Sequence, residues 1–137
     1  DKVEMVKFVK PEGSEQELET LVRNAEDVLQ ALELPYRVVL LGSGDMSFAA
    51  AKCYDLEAWA PVTQKWFEVS SCSIFTDFQA RRMNIRYRNA ANKKLEYVHT
   101  LNGSGLALAR IVLCLLENFQ DASGQIIFPK ALQAYLS

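Results

Sequence analysis

Two strand-like segments separated by a four-residue turn constrain the fold more than any other feature of the sequence. Tyr54–Ala60 and Lys65–Phe75 have the composition of strands, and the turn Pro61–Gln64 between them is too short for a helical crossover. Parallel neighbours need a dozen or more connecting residues, so these two strands are expected to pair antiparallel. A second hairpin is predicted at 85–88 and 95–101, around a polar loop. The sequence therefore predicts an α+β fold with an antiparallel sheet, not a βαβ array.

Helical periodicity is strongest from residue 14 to residue 34, where apolar side chains recur every three or four positions before Pro35. Ser14 and Glu17 have the spacing of a capping box, which predicts that this helix begins at Ser14. The remaining predicted elements are strands at 2–9, 36–41 and 126–128, and helices at 45–53, 76–84, 103–120 and after Pro129. The helix at 76–84 would begin with a second capping box, formed by Thr76 and Gln79.

Composition is that of one globular domain, and we predict a single domain over residues 1–137. Half of the residues are hydrophobic and 23% are charged. The net charge of −2 argues against a module that wraps nucleic acid with a basic face. Three widely spaced cysteines argue against a disulfide scaffold and favour a reducing compartment. The first residues read as the middle of a strand, which predicts that the chain is part of a longer protein.

Arg110 is the single charged residue between Gly103 and Leu116, a segment predicted to be a buried helix. An unpaired buried arginine is strongly destabilising, so an anion is expected beside it. Two candidates remain open from the residues alone. One is an internal ion pair with Glu68 or Glu57, and the other is an anionic ligand.

The segment 101–105 has the sequence L-N-G-S-G and is predicted to be a strand end that turns into a helix. Gly103 and Gly105 would let a ligand approach the backbone, where Asn102 and Ser104 offer hydrogen bonds. A simple helix cap is the alternative.

The strand segment 68–73, E-V-S-S-C-S, carries so many small polar groups that it is predicted to line a cleft. In an ideal strand Glu68, Ser70 and Cys72 would share one face, opposite Ser71. Arg81 and Arg82 are candidates either for phosphate binding or for an exposed face, and His99 is predicted to be structural. The sequence shows no catalytic triad, metal-ligand cluster or phosphate-binding loop.

Seven short motifs, taken in order, resemble the seryl-tRNA synthetases, which are class II aminoacyl-tRNA synthetases, over nearly the whole chain. The motifs are K-V-E-M at 2–5, G-D-M-S-F at 44–48, Y-D-L-E-A-W at 54–59, E-V-S-S-C-S at 68–73, D-F-Q-A-R-R-M-N at 77–84, H-T-L-N-G-S-G-L-A-L-A-R at 99–110 and L-L-E-N-F-Q at 115–120. The resemblance implies a class II antiparallel sheet flanked by helices, of which this chain is the C-terminal portion of the catalytic domain.

The resemblance also implies a reaction and the residues that perform it. Serine and ATP would give seryl-adenylate and pyrophosphate, and serine would then be transferred to tRNA(Ser). Arg110 and Glu68 would be catalytic and would bind ATP together with Ser71. Glu68 and Ser71 would hold Mg²⁺ or Mn²⁺. The remaining predicted site residues would bind serine, and they are Glu4 for the ammonium group and Asn102 and Ser104 for the side chain.

The family pattern places further parts of the enzyme outside these residues, among them the tRNA-binding arm, a phosphate-binding arginine and an adenine-stacking aromatic. We therefore expect the 137 residues alone to be inactive. The full-length protein is expected to be a homodimer in the cytoplasm or an organellar matrix, with no membrane attachment. The alternatives are a catalytically inactive paralogue that acts as a binding module, and a synthetase-like enzyme that charges a carrier protein.

Overall fold

A computed structural model describes residues 1–136. The strands are β1 (Lys2–Val9), β2 (Tyr36–Leu40), β3 (Lys52–Ala60), β4 (Lys65–Ile74), β5 (Arg86–Arg88), β6 (Leu95–Tyr97) and β7 (His99–Ala107). The helices are α1 (Ser14–Ala31), α2 (Phe78–Met83), α3 (Leu108–Asn118) and α4 (Lys130–Gln133). Five strands form a sheet in the order β1-β7-β4-β3-β2, and β5 and β6 form a separate hairpin. Every neighbouring pair is antiparallel, which confirms the predicted fold class.

Helices α1 and α3 both pack on one face of the sheet, where they enclose the hydrophobic core. The apolar positions of α1 recur at helical spacing, so one stripe of that helix is buried while its acidic residues stay outside. Fully buried core side chains include Leu18, Leu21 and Leu29 of α1, Leu56 of β3, Val69 and Ile74 of β4, and Leu101 of β7. Each buried leucine contributes about 1.5–3 kcal/mol to stability relative to an exposed one, so this packing holds the two helices against the sheet.

The opposite face of the sheet, here called the polar face, carries a different set of side chains. Alternation along β1 places Glu4 on this face and Met5 in the core. On β7, Leu101 is buried in the core, so Asn102 belongs to the polar face. Helix α2 reaches the polar face at one end, where the hydroxyl of Thr100 donates to the Gln79 side chain.

Helix α3 begins at Leu108, so the prediction of a helix from residue 103 is wrong. Residues 103–107 continue β7 because β1 pairs with that strand as far as Ala107, while β4 pairs with it on the other side as far as Gly103. A Cβ atom on Gly103 would lie 2.7 Å from the sulfur of Cys72, and one on Gly105 would lie 2.8 Å from Val3. These glycines therefore allow close packing between strands, instead of giving a ligand access to the backbone.

The predicted helix at 45–53 is also absent. The amide of Asp45 donates to the carbonyl of Gly42 at 3.0 Å, which closes a turn, and β3 already begins at Lys52. The predicted strand at 126–128 is reduced to one bridge between Gln120 and Ile126. The terminal helix is present, with Pro129 immediately before its first residue.

Neither capping box forms. The Ser14 hydroxyl donates to the carbonyl oxygen of Pro11, and Glu17 instead pairs with Lys7 at 2.8 Å. At the second site, Gln79 accepts a hydrogen bond from Thr100, a residue far along the chain. The predicted capping residues Glu17 and Gln79 thus each bind a residue outside their own helix, Lys7 and Thr100 respectively.

Candidate active site

An extra residue in β4 decides which side chains reach the polar face. Leu56 pairs with Ser70 and the next residue, Glu57, pairs with Glu68, so Val69 has no partner in β3. A bulge of this kind rotates the strand by one residue. Glu68 and Ser71 therefore lie on the same polar face, whereas Ser70 turns inward, where its hydroxyl donates to the carbonyl of Ser104 at 2.6 Å.

The bulge corrects the alternation predicted for 68–73, which had grouped Glu68 with Ser70 and Cys72. Cys72 is fully buried in the core, and burial raises the pKa of its thiol to about 11. Residues Glu68, Ser71 and Ser73 form the polar edge of β4 instead. The two positions predicted to hold a divalent ion are thus brought to one face.

Arg110 lies in the first turn of α3, beside Glu68. Its Nη1 donates to the Glu68 carbonyl oxygen at 2.5 Å and lies 3.7 Å from a carboxylate oxygen of the same residue. The side chain is half exposed, so the expectation of a buried charge is wrong. The reason is that residues 103–107 are strand, which places Arg110 at a helix start on the surface.

The internal ion pair and the ligand contact predicted for Arg110 are compatible with each other. A guanidinium has five N–H donors, and within residues 1–136 hydrogen bonding engages only Nη1. The remaining donors form a planar fork that suits phosphate oxygens. Glu68 thus orients the arginine and leaves most of its hydrogen-bonding capacity available.

Glu4 and Ser104 face one another across β1 and β7, where their Cα atoms are paired. Asn102 follows on the same face of β7, paired with Ser73 of β4. Glu4 is exposed, and its carboxylate lies 3.3 Å from the ammonium group of Lys2. Ser104 is buried, with 3% of its surface exposed. A carboxylate, an amide and a hydroxyl therefore lie together on two neighbouring strands.

A cleft of about 220 Å³ joins part of this set. Three of the predicted site residues line it, and they are Glu68, Ser104 and Arg110. Lys2 contributes a further positive charge to its wall. Glu4, Ser71 and Asn102 do not line the cleft, although they belong to the same face of the sheet. The wall of the cleft thus combines two cations with two carboxylates, those of Asp1 and Glu68, so it can bind a phosphate directly through the cations and a metal ion through the acids.

Cys53 connects the polar side chains of β3 and β4 and was not singled out from the sequence. Its sulfur lies 3.3 Å from the Ser71 hydroxyl and 3.1 Å from the Ser73 hydroxyl, which donates to it. Burial raises the pKa of the Cys53 thiol, so the group is a neutral hydrogen-bonding partner. The available signal was its place two residues before Asp55 on a strand that pairs with the polar segment of β4.

His99, Arg81 and Arg82, which were candidates from the sequence, do not line this cleft. His99 contacts the Ser14 hydroxyl through Nδ1 at 2.9 Å, in agreement with the predicted structural role. Arg81 forms an ion pair with Asp77 at 2.6 Å, and the guanidinium of Arg82 lies 3.4 Å from the centre of the Phe78 ring. Both arginines are exposed.

The chain is similar to known proteins over most of its length. The profile of the family described as "tRNA synthetase class II core domain (G, H, P, S and T)" matches residues 1–119. The chain belongs to this class II core-domain family. The resemblance to class II aminoacyl-tRNA synthetases, which the sequence motifs indicated, is therefore confirmed.

Several relatives of this class II chain are serine–tRNA ligases. The protein from Thermomicrobium roseum is 59% identical over 136 residues, and that from Chloroherpeton thalassium is 60% identical over the same length. These matches cover 99% of this chain but only 31% and 32% of the relatives. The chain thus spans about a third of their length.

Two solved structures share the class II fold of this chain. The seryl-tRNA synthetase from Pyrococcus horikoshii, complexed with ATP, has a TM-score of 0.94 and 47% identity. The cytoplasmic serine–tRNA ligase from Naegleria fowleri, in complex with AMP, has a TM-score of 0.88 and 36% identity. Each match covers 98% of this chain, and 30% and 32% of the respective structures.

Proposed function

We propose that the protein activates serine with ATP to form seryl-adenylate and transfers the serine to tRNA(Ser). The observation that carries this proposal is the gathering of the predicted residues on the polar face and at the cleft beside it. Glu4, Asn102 and Ser104 come from two paired strands, and Glu68 and Arg110 meet at the adjoining cleft. The relatives named serine–tRNA ligase and the ATP-complexed neighbour support the same reaction.

The chemistry of the face fits the two substrates. The carboxylate of Glu4 suits the ammonium group of an amino acid, and a hydroxyl side chain can bond with Asn102 and Ser104. A site that hydrogen-bonds a hydroxyl disfavours an analogue without one, because its own polar groups would be left unpaired. Arg110 would bind phosphate oxygens of ATP. Such a site works by holding the serine carboxylate against the α-phosphate, so it requires no protein nucleophile.

A divalent ion fits the donor set when ATP brings further ligands. Glu68 and Ser71 provide a carboxylate and a hydroxyl on one face, and hard oxygen ligands are those preferred by Mg²⁺ and Mn²⁺. Within residues 1–136 there is no group of three ligating His, Cys, Asp or Glu side chains. The two protein oxygens therefore need phosphate oxygens and water to complete the shell. A bound ion would neutralise phosphate charge.

The full-length protein is expected to function as a homodimer in the cytoplasm or an organellar matrix, where tRNA is charged. Within residues 1–136, no helix combines the length and the apolar character needed to cross a bilayer.

The test is serine-dependent exchange of pyrophosphate with ATP by the full-length protein, followed by charging of a tRNA(Ser) transcript. Exchange and charging that require serine, with threonine and alanine as controls, are the expected results. An inactive paralogue would show neither reaction. An enzyme that charges a carrier protein would show exchange without charging of the transcript. Either outcome would refute the proposed function.

A further inference from the structure

Basic side chains are concentrated in one short part of the chain. Residues 78–97, which contain α2 and the β5–β6 hairpin, hold six Lys and Arg residues but one acidic residue. The other 117 residues hold nine Lys and Arg against sixteen Asp and Glu, so a net charge of +5 in this segment stands against −7 elsewhere. All six cationic side chains are exposed, and they are Arg81, Arg82, Arg86, Arg88, Lys93 and Lys94. We call these six residues the basic hairpin surface.

Aromatic rings hold several of these charges in a defined arrangement. The guanidinium groups of Arg81 and Arg86 each lie 4.8 Å from the centre of the Tyr97 ring. Arg86 and Arg88 share one face of β5, because they are two residues apart on a strand, and this spacing separates their Cα atoms by roughly 6.6 Å. A cation held over a ring keeps its charge while its side chain loses freedom before any partner arrives.

Acidic groups within the segment neutralise little of this charge. Arg81 is paired with Asp77, which lies just outside the segment. The carboxylate of Glu96 accepts hydrogen bonds from Asn92, Asn89 and Tyr87, which lower its pKa and occupy its oxygens. Glu96 therefore organises the hairpin loop and does not form an ion pair with any of the six cations. The surface remains strongly positive.

Such a surface fits an RNA backbone better than an acidic protein. Four of the six cations are arginines, whose planar fork binds phosphate oxygens bidentately. The rings beneath them are of the kind that stack on RNA bases and on guanidinium planes. The surface also lies close to the candidate site in the chain. Tyr97 ends β6, and after Val98 strand β7 leads to Asn102 and Ser104, a path of roughly 20 Å along the chain at the rise of a β-strand.

We propose that the basic hairpin surface binds the phosphate backbone of the tRNA whose end enters the polar face. This inference rests on the proposed function, because it is the charging reaction that requires an RNA end at Ser104. The basic hairpin surface is thereby given a role separate from serine activation. It would contribute to tRNA affinity and charging while leaving formation of the adenylate unchanged.

The test compares two triple variants of the full-length protein. Arg86→Gln/Arg88→Gln/Lys93→Gln removes three charges from the basic hairpin surface. The control Arg23→Gln/Lys65→Gln/Lys130→Gln removes three exposed charges from other elements. Binding of a labelled tRNA(Ser) transcript is measured by fluorescence anisotropy between 50 and 200 mM salt, roughly the range over which phosphate contacts weaken most visibly. Serine-dependent pyrophosphate exchange, thermal unfolding and sedimentation are measured alongside.

We expect the hairpin variant to bind the transcript about tenfold or more weakly at the lower salt concentration. The slope of log affinity against log salt should become shallower by roughly 2–3, since each lost phosphate contact removes about 0.7–0.9. Exchange should be unchanged in both variants, and the control should keep the wild-type slope within about one unit.

Equal slopes in the two variants would overturn the proposal and leave an exposed, solvated face. Loss of the dimer in the hairpin variant, with an unchanged salt slope, would also overturn it and would assign the surface to a second copy of the chain. A wild-type protein without serine-dependent exchange would refute the proposed function instead. The shift in salt slope would then still report RNA binding by the hairpin.

Discussion

Replacing Arg110 with alanine separates a structural role from a role in phosphate binding. The side chain is half exposed and its ion pair with Glu68 spans 3.7 Å. An exposed pair of this kind contributes about 0–1 kcal/mol to stability, so the folded protein should tolerate its loss. A charge-assisted contact with ATP is worth roughly 1.5–3 kcal/mol, and more in a water-excluded site. Arg110→Ala should therefore slow pyrophosphate exchange by about tenfold to more than a hundredfold.

The assay is serine-dependent ATP–pyrophosphate exchange in the full-length protein, with the unfolding temperature measured on the same preparations. Arg23→Ala is the matched control, because that arginine is exposed on α1, remote from the cleft. Arg110→Lys should fall between the alanine variant and the wild type, since it keeps the charge but loses the planar fork. An Arg110→Ala protein that keeps more than half of the exchange rate would have lost less than roughly 0.4 kcal/mol. That result would refute a catalytic role and leave Arg110 as a surface ion-pair residue.

Four further outcomes are expected. Glu4→Ala should raise the KM for serine far more than the KM for ATP in exchange assays, since a carboxylate pairs with the ammonium group; equal increases would make Glu4 a supporting residue. Mn²⁺ should bind at Glu68 and Ser71 only when ATP is present, as measured by electron paramagnetic resonance; micromolar binding without nucleotide would contradict the two-ligand assignment. Hydrogen bonds from Thr63 and the backbone lower the pKa of Glu117, so its contribution to stability is present above the unfolded pKa and disappears as pH falls through the lower folded value. Wild-type and Glu117→Gln unfolding temperatures should thus differ at pH 7 and converge as the pH falls below the lowered folded pKa of Glu117, and a constant gap would exclude this linkage. The 137 residues purified alone should show less than about a thirtieth of the exchange rate of the full-length protein, because a missing base stack and a missing phosphate contact each cost roughly 1–3 kcal/mol; a rate within tenfold would show that the site is complete in this segment.

The antiparallel architecture was predictable because short connections leave a chain few alternatives. The turn at 61–64 forces β3 and β4 to pair as neighbours, and the observed register begins with Ala60 opposite Lys65. The helical periodicity of α1 comes from the order of apolar and acidic residues in the sequence, and the structure buries the apolar stripe that this order predicts. Features of this kind depend on residues that are close together in the sequence, so the sequence alone predicts them.

The strand at 103–107 was not predictable by the same means. Its small and apolar residues fit a helix as well as a strand, and no local signal distinguishes the two. What decides the outcome is pairing with β1, whose residues lie about 100 positions away in the sequence, and with β4 at Gly103, whose partner Cys72 lies about 30 positions away. The error carried over to Arg110, because a helix that starts five residues later places this side chain at the surface.

The bulge in β4 shows how the candidate site could have been read more fully from the sequence. The core residues of this strand are Phe67, Val69, Cys72 and Ile74, at spacings of two, three and two. A spacing of three within a strand requires one extra residue between Val69 and Cys72, and an extra residue transfers the following side chains to the other face. The same count places Ser71 beside Glu68 on the polar face, where a regular strand would separate them. The sequence signal for the site is therefore the break in the two-residue spacing of apolar side chains between Val69 and Cys72.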